Sequence, residues 1–158
     1  HVVGIEIDKN AAEIARNIYD KVIIDDVEEL QENVFSNEYF DAIILADILE
    51  HLARPDILLV KLKRYLKPEG YVIASIPNIA QLEIRLKLLF GKFEYEETGI
   101  LDRTHLRFFT LKTAKELFHE VGYEVILVDY TGLRSKYHVL KFIPKLFAYQ
   151  FIITARPR

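Results

Sequence analysis

Residues 40–52 read Phe-Asp-Ala-Ile-Ile-Leu-Ala-Asp-Ile-Leu-Glu-His-Leu. The apolar run Ala42–Ala46 reads as a buried strand, and it leads directly into Asp47, Glu50 and His51, spaced by three and four. A helical turn after Ala46 would gather those three side chains on one face, at the carboxyl end of a strand, where open α/β sheets keep their ligands. The plainer alternative is that Asp47 caps a helix while Glu50 and His51 are solvated.

On the amino-terminal side, Val2–Ile7 is nearly all apolar, as expected of a parallel strand covered on both faces, and it carries Glu6 with Asp8 just beyond. Asp8 is placed to cap a helix over about Lys9–Ile18, with Ala11, Ala12, Ile14, Ala15 and Ile18 facing inward. Val22–Ile24 reads as a second strand closed by Asp25 and Asp26, and residues 27–39 as a short helix and loop. The pattern predicts one domain over residues 1–158. Its beginning, His1-Val-Val-Gly with no initiator methionine, falls inside a strand pattern and reads as a fragment that lacks a preceding segment.

On the carboxyl-terminal side, Pro55 suits the first turn of a helix reaching about Leu66, and Lys67-Pro-Glu-Gly reads as its stop. Tyr71–Ile76 is the next strand, ended by Pro77-Asn78. This alternation predicts a doubly wound α/β sheet with right-handed crossovers. A leucine-rich helix over Ile79–Phe90 precedes a long loop, Lys92–Phe109, of the length that usually serves function. Thr110 is placed to cap a helix over Leu111–Val121 closed by Gly122, and Tyr123–Asp129 and Tyr149–Ala155 read as strands flanking a helical or irregular stretch at Tyr137–Leu146.

Composition narrows the chemistry. The 158 residues contain no cysteine, so disulfides and thiolate metal sites are excluded, and a metal would need carboxylate, imidazole or carbonyl ligands. No apolar run is long enough to span a bilayer and no leader pattern is present, which makes a cytoplasmic protein the default expectation. Residues 1–60 carry 4 Lys/Arg against 14 Asp/Glu, while residues 61–158 carry 17 against 10. Such asymmetry either marks a footprint for an anionic partner or pairs the halves internally. The segment His138–Phe147 mixes basic and bulky apolar residues; it reads either as a peripheral contact with a membrane-bound acceptor or, since Pro144 interrupts it, as packing on the sheet.

Taken in order, VVGIEID, DDVEEL, FDAIILADILEHL, LKPEGYVIASIPN, DRTHLRFFT and the terminal strand pair resemble the class I S-adenosylmethionine-dependent methyltransferases, in particular the branch of ubiquinone-pathway O-methyltransferases. The resemblance implies a Rossmann-like sheet of order 3-2-1-4-5-7-6 with an antiparallel last strand, Val2–Ile7 being strand two and strand one with its glycine-rich loop lying before His1. It implies that Glu6 receives the cofactor's ribose hydroxyls, Ile7 lies beside the adenine, Asp26 takes the adenine amino group with the Val27 backbone at the ring edge, and Ala46 and Asp47 lie near the sulfonium. As plain chemistry, Glu6 would also suit a nicotinamide cofactor, and Asp26 an Asx-turn.

Asp47, Glu50, His51 and His105 resemble the metal set of small-RNA 2'-O-methyltransferases, with Asp47 where that pattern has glutamate. The resemblance implies O-methylation of a small molecule or cell-surface glycan, assisted by Mg²⁺ or Mn²⁺, with nucleic acid not the expected acceptor. Without metal, His105 or His51 is the candidate general base. Arg103 and Arg107 could hold an acidic group of the acceptor or fix their loop, and Asn78 could bond the acceptor or close its turn. Two rivals remain open at this point, a nicotinamide-dependent oxidoreductase and a non-catalytic interaction module of the same fold.

Overall fold

The computed structural model describes residues 1–31, 33–132 and 143–158. They form two compact units, His1–Ser36 and Asn37–Arg158.

The first unit is a strand–helix–strand element. Strand β1 (Val3–Glu6) pairs in parallel with β2 (Lys21–Ile24), with Glu6 opposite Ile24 at the carboxyl end. Helix α1 (Lys9–Ala15) joins them, and Asp8 caps it by accepting a hydrogen bond from the Ala11 amide at 2.8 Å. The helix is shorter than the periodicity predicts. Asn17 turns its amide onto the carbonyls of Glu13 and Ile14, so Ile18 falls beyond the helix, and both Ile14 and Ile18 are exposed while Ala12 is buried. Residues 27–31 and 33–39 contain turns and no helix, a correction to the reading of that stretch.

The second unit is built on a four-stranded sheet of order β3-β4-β6-β5. Strand β3 (Phe40–Ala46) runs parallel to β4 (Leu66–Pro77), with Ala46 opposite Ser75. Strand β6 (Gln150–Pro157) is antiparallel to both β4 and β5 (Tyr123–Thr131). This is the 4-5-7-6 half of the expected order, with its antiparallel last strand.

Helix α2 (Pro55–Leu62) continues into a 3-10 turn, Lys63–Tyr65, and the chain enters β4 at once. The Lys67-Pro-Glu-Gly segment therefore lies inside a strand, where the pairing with β3 shifts register between Phe40 and Ala42. Gly70 permits this: a Cβ there would meet the carbonyl oxygens of Lys67 and Phe40 at 3.0 Å. Helix α3 (Leu82–Leu89) precedes the long loop, and α4 (Leu111–Glu120) follows it. Thr110 and Thr113 make a reciprocal cap at the start of α4, and Gly122, at φ +76°, closes the turn after it.

Alternate residues of β4, Val72, Ala74 and Ile76, are fully buried, as are Phe118 of α4 and Ile153 and Ala155 of β6. Tyr123 meets Phe118 edge to face at 5.8 Å and donates its hydroxyl to the Leu59 carbonyl at 3.0 Å, tying α2 and α4 to the sheet. A one-turn helix α5 (Pro144–Phe147) leads into β6. Residues 138–142, half of the basic, apolar segment that begins at His138, lie outside the described residues. Among the described residues no helix is long and apolar enough to cross a membrane.

Candidate active site

The strand β3 ends at Ala46, and the chain leaves it through a turn, not a helix. Asp47 adopts φ +52°, a left-handed conformation uncommon for a residue with a side chain. Its carboxylate Oδ1 accepts from Ser75 Oγ at 3.0 Å and from Gln150 Nε2 at 2.6 Å, while its own amide donates to Ser75 Oγ at 3.0 Å. Asp47 is thus fastened to β4 and β6, and the helical face expected to hold it with Glu50 and His51 does not form.

Glu50 and His51 follow in a turn closed by the His51 amide on the Ile48 carbonyl at 3.1 Å. The Glu50 carbonyl then accepts from two amides of the long loop, Leu106 at 2.8 Å and Arg107 at 2.9 Å. That pair of bonds brings His105 to Glu50 and His51. A potential ligand atom from each of the three lies within 4.8 Å of the other two, and the imidazoles meet edge to face with centroids 4.7 Å apart. Three of the four residues of the expected set are therefore together, and Asp47 stands outside the group.

Glu50 is only 1% exposed, and among the described residues neither carboxylate oxygen has a hydrogen-bond partner. Burial pushes its pKa up to about 7; the nearby amide of its own backbone offsets part of that rise and the Asp47 charge adds to it. Buried carboxylates without partners are costly, and they are found where a proton or a cation completes them.

The hydrogen bonds of both histidines fix their tautomers. His105, 8% exposed, has Nδ1 at 3.2 Å from the Ile100 carbonyl oxygen, which can only accept, so Nδ1 carries the proton. His51 Nδ1 lies 3.3 Å from the Thr104 carbonyl and 3.2 Å from Thr104 Oγ1. The Nε2 atom of each ring is left as a lone-pair donor. Backbone carbonyls on the opposite ring nitrogen are the usual support of a metal-binding or basic imidazole.

The other expected site residues are placed as follows. Glu6 and Asp26 stand at the carboxyl ends of neighbouring strands of the first unit. Glu6 Oε1 accepts from the Asp8 amide at 2.9 Å, and Asp26 Oδ1 from the Glu28 amide at 2.8 Å. Ile7 is exposed and Val27 half-buried in the same unit, and Ala46 is exposed at the end of β3. Asn78 is fully buried; its side-chain amide donates to the carbonyls of Lys145 and Ala148, and its Oδ1 accepts from the amide of Ala80. Arg103 pairs with Glu97 at 2.7 Å, and Arg107 donates to the Ala53 carbonyl. Ser75 and Gln150, which bond Asp47, and Asp102 and Thr104, which adjoin His51, are neighbours of the candidate residues that sequence reasoning missed; of these only Asp102-x-Thr104 carries a visible signal, the pattern of an Asx-turn.

The sequence profile of the methyltransferase domain matches residues 1–128, and the chain belongs to that family. Solved structures agree on the fold of S-adenosylmethionine-dependent methyltransferases. One from Thermotoga maritima, described as a possible histamine N-methyltransferase, is 20% identical with a TM-score of 0.72 over 99% of this chain and 72% of that one. Another, from Archaeoglobus fulgidus, is 17% identical with a TM-score of 0.70 over 97% and 74%. A third, from Methanosarcina mazei, is 17% identical with a TM-score of 0.68 over 99% and 81%. No curated protein matches the chain. The family match displaces the nicotinamide alternative.

Proposed function

We propose that the protein transfers the methyl group of S-adenosylmethionine to a hydroxyl oxygen of a small molecule or glycan, and that Glu50, His51 and His105 manage the acceptor's oxygen. In such a transfer the acceptor oxygen attacks the methyl carbon, the carbon–sulfur bond breaks with its electron pair left on sulfur, and the hydroxyl proton passes to a base. The cofactor supplies the reactivity, so the protein aligns the two reactants and receives one proton.

The observation that carries this reading is the orphaned, buried carboxylate of Glu50 beside two imidazoles with bare Nε2 atoms. Such a set fits a divalent cation, with Glu50, His51 and His105 as its ligands. Two imidazoles and one carboxylate suit Mn²⁺ or Zn²⁺ better than Mg²⁺, which prefers an all-oxygen shell. A bound ion would lower the pKa of an acceptor hydroxyl, which favours vicinal diols and catechols that can offer two oxygens. Without the ion, the Nε2 of His105 or His51 can accept the proton.

Glu6 is the candidate for the ribose hydroxyls and Asp26 for the adenine amino group. Their support is their position at the ends of two adjacent parallel strands.

The reading is tested by methyl transfer to a panel of catechols and sugar diols, with EDTA and after adding Mn²⁺. Methylation that falls with EDTA, returns with Mn²⁺ and is lost in His105→Ala supports it. Methylation indifferent to both metal and His105 removes the assigned role of the cluster.

A further inference from the structure

The loop that delivers His105 carries a second, connected arrangement on the other side of His51. Asp102 Oδ1 accepts from the Thr104 amide at 2.8 Å and from Thr104 Oγ1 at 2.6 Å. Thr104 Oγ1 has only one hydrogen, and Asp102 takes it. Towards His51 Nδ1, 3.2 Å away, that oxygen can therefore only accept. The Thr104 carbonyl, 3.3 Å from the same nitrogen, can also only accept. Two acceptors on one ring nitrogen permit a single neutral tautomer, with the proton on Nδ1 and the lone pair on Nε2.

Asp102 also holds the turn itself. Its own amide bonds the Gly99 carbonyl at 3.2 Å, and its carbonyl accepts the His105 amide at 3.1 Å. One residue thus anchors the acceptors for His51 and the backbone of His105.

We infer that Asp102 and Thr104 are positioning residues for the methyltransferase site, a relay that locks His51 as the Nδ1–H tautomer and so keeps its Nε2 lone pair available beside Glu50 and His105. The inference rests on the role proposed for that cluster but is measured separately from it. It makes a prediction that a purely structural loop would not. Removing the Asp102 carboxylate frees the Thr104 hydroxyl to rotate and to donate to His51, so the ring loses its tautomeric bias. An asparagine at position 102 keeps an acceptor oxygen and the turn, and so keeps the bias.

The test is nitrogen-15 NMR of the imidazoles in the metal-free chain at about pH 8, above the ordinary histidine range. In the wild type His51 shows one protonated nitrogen, Nδ1. In Asp102→Ala that signature is lost in favour of a mixture of tautomers, in Asp102→Asn it is retained, and Thr104→Val weakens it by removing one of the two acceptors. Thr104→Val also serves if Asp102→Ala does not fold. In methyl transfer, Asp102→Ala lowers kcat by about 10–100-fold, the usual effect of losing such a supporting partner. S-adenosylhomocysteine affinity stays within about twofold, on the order of thermal energy. A wild-type His51 protonated on Nε2, or a tautomer unchanged in both Asp102→Ala and Thr104→Val, overturns the inference. Because no metal and no acceptor are present in the NMR experiment, a failure of metal-dependent methylation leaves its result intact and is recognised as a separate failure.

Discussion

His51 and His105, far apart in the chain, stand edge to face at 71° with their ring centroids 4.7 Å apart. What joins them is the backbone of Glu50, whose carbonyl takes the amides of Leu106 and Arg107 while its side chain is buried at 1% exposure. One residue therefore assembles the group and supplies its charge. Several measurable consequences derive from that dual position and from the fold that supports it.

The buried Glu50 carboxyl makes the metal-free protein less stable as pH rises. Burial raises its pKa from the ordinary glutamate value of 4.5 to about 7. Below about pH 4.5 the group is protonated folded or unfolded and burial costs no ionisation. Between there and about pH 7 the unfolded chain ionises more readily, and stability falls by about 3 kcal/mol in all. Thermal melts of EDTA-treated protein at a series of pH values, wild type minus Glu50→Gln, should show this decline. A difference curve flat from pH 4.5 to 7 contradicts the assignment of burial as the cause.

Glu6→Ala should weaken S-adenosylhomocysteine binding by about tenfold, equal to about 1.4 kcal/mol, the size of a lost hydrogen bond to a charged group. Calorimetric titration reads this directly. Equal affinity in wild type and variant would remove Glu6 from the cofactor's ribose.

At α4, Thr110→Ala should cost about 1 kcal/mol by opening the cap over Thr113. The melting temperature should fall by about 2–4 °C in a chain of this size, with Thr110→Ser restoring it. No loss in the alanine variant would show that the reciprocal cap contributes nothing.

Much of this was visible in the residues. Asp8 and Thr110 announced their helices because a short polar side chain before an apolar-periodic run has a specific task, and both caps are present. The order β3-β4-β6-β5 was legible through the family resemblance. Periodicity alone did not show where β4 begins, since Lys67-Pro-Glu-Gly has the chemistry of a stop and becomes part of a strand only through its register shift against Phe40. The site was legible in part for the same reason. Spacing put Asp47 with Glu50 and His51, but the left-handed turn at Asp47 depends on Ser75 and Gln150, distant partners that no local pattern reveals.

Gly70 offers a test of that strand reading. An alanine Cβ at this position would press on two carbonyl oxygens at 3.0 Å, so Gly70→Ala should destabilise by about 1–3 kcal/mol, as overpacking does. Denaturant unfolding monitors it, and a variant as stable as wild type would argue against the bulged entry to β4.

If Glu50, His51 and His105 act together on one ligand, calorimetric binding of Mn²⁺ reads it most directly, because this requires no knowledge of the acceptor. Wild-type protein should bind one equivalent, and His105→Ala and Glu50→Gln should each weaken binding by at least about tenfold. Absence of binding to the folded wild type, or binding that both variants leave unchanged, would contradict the claim.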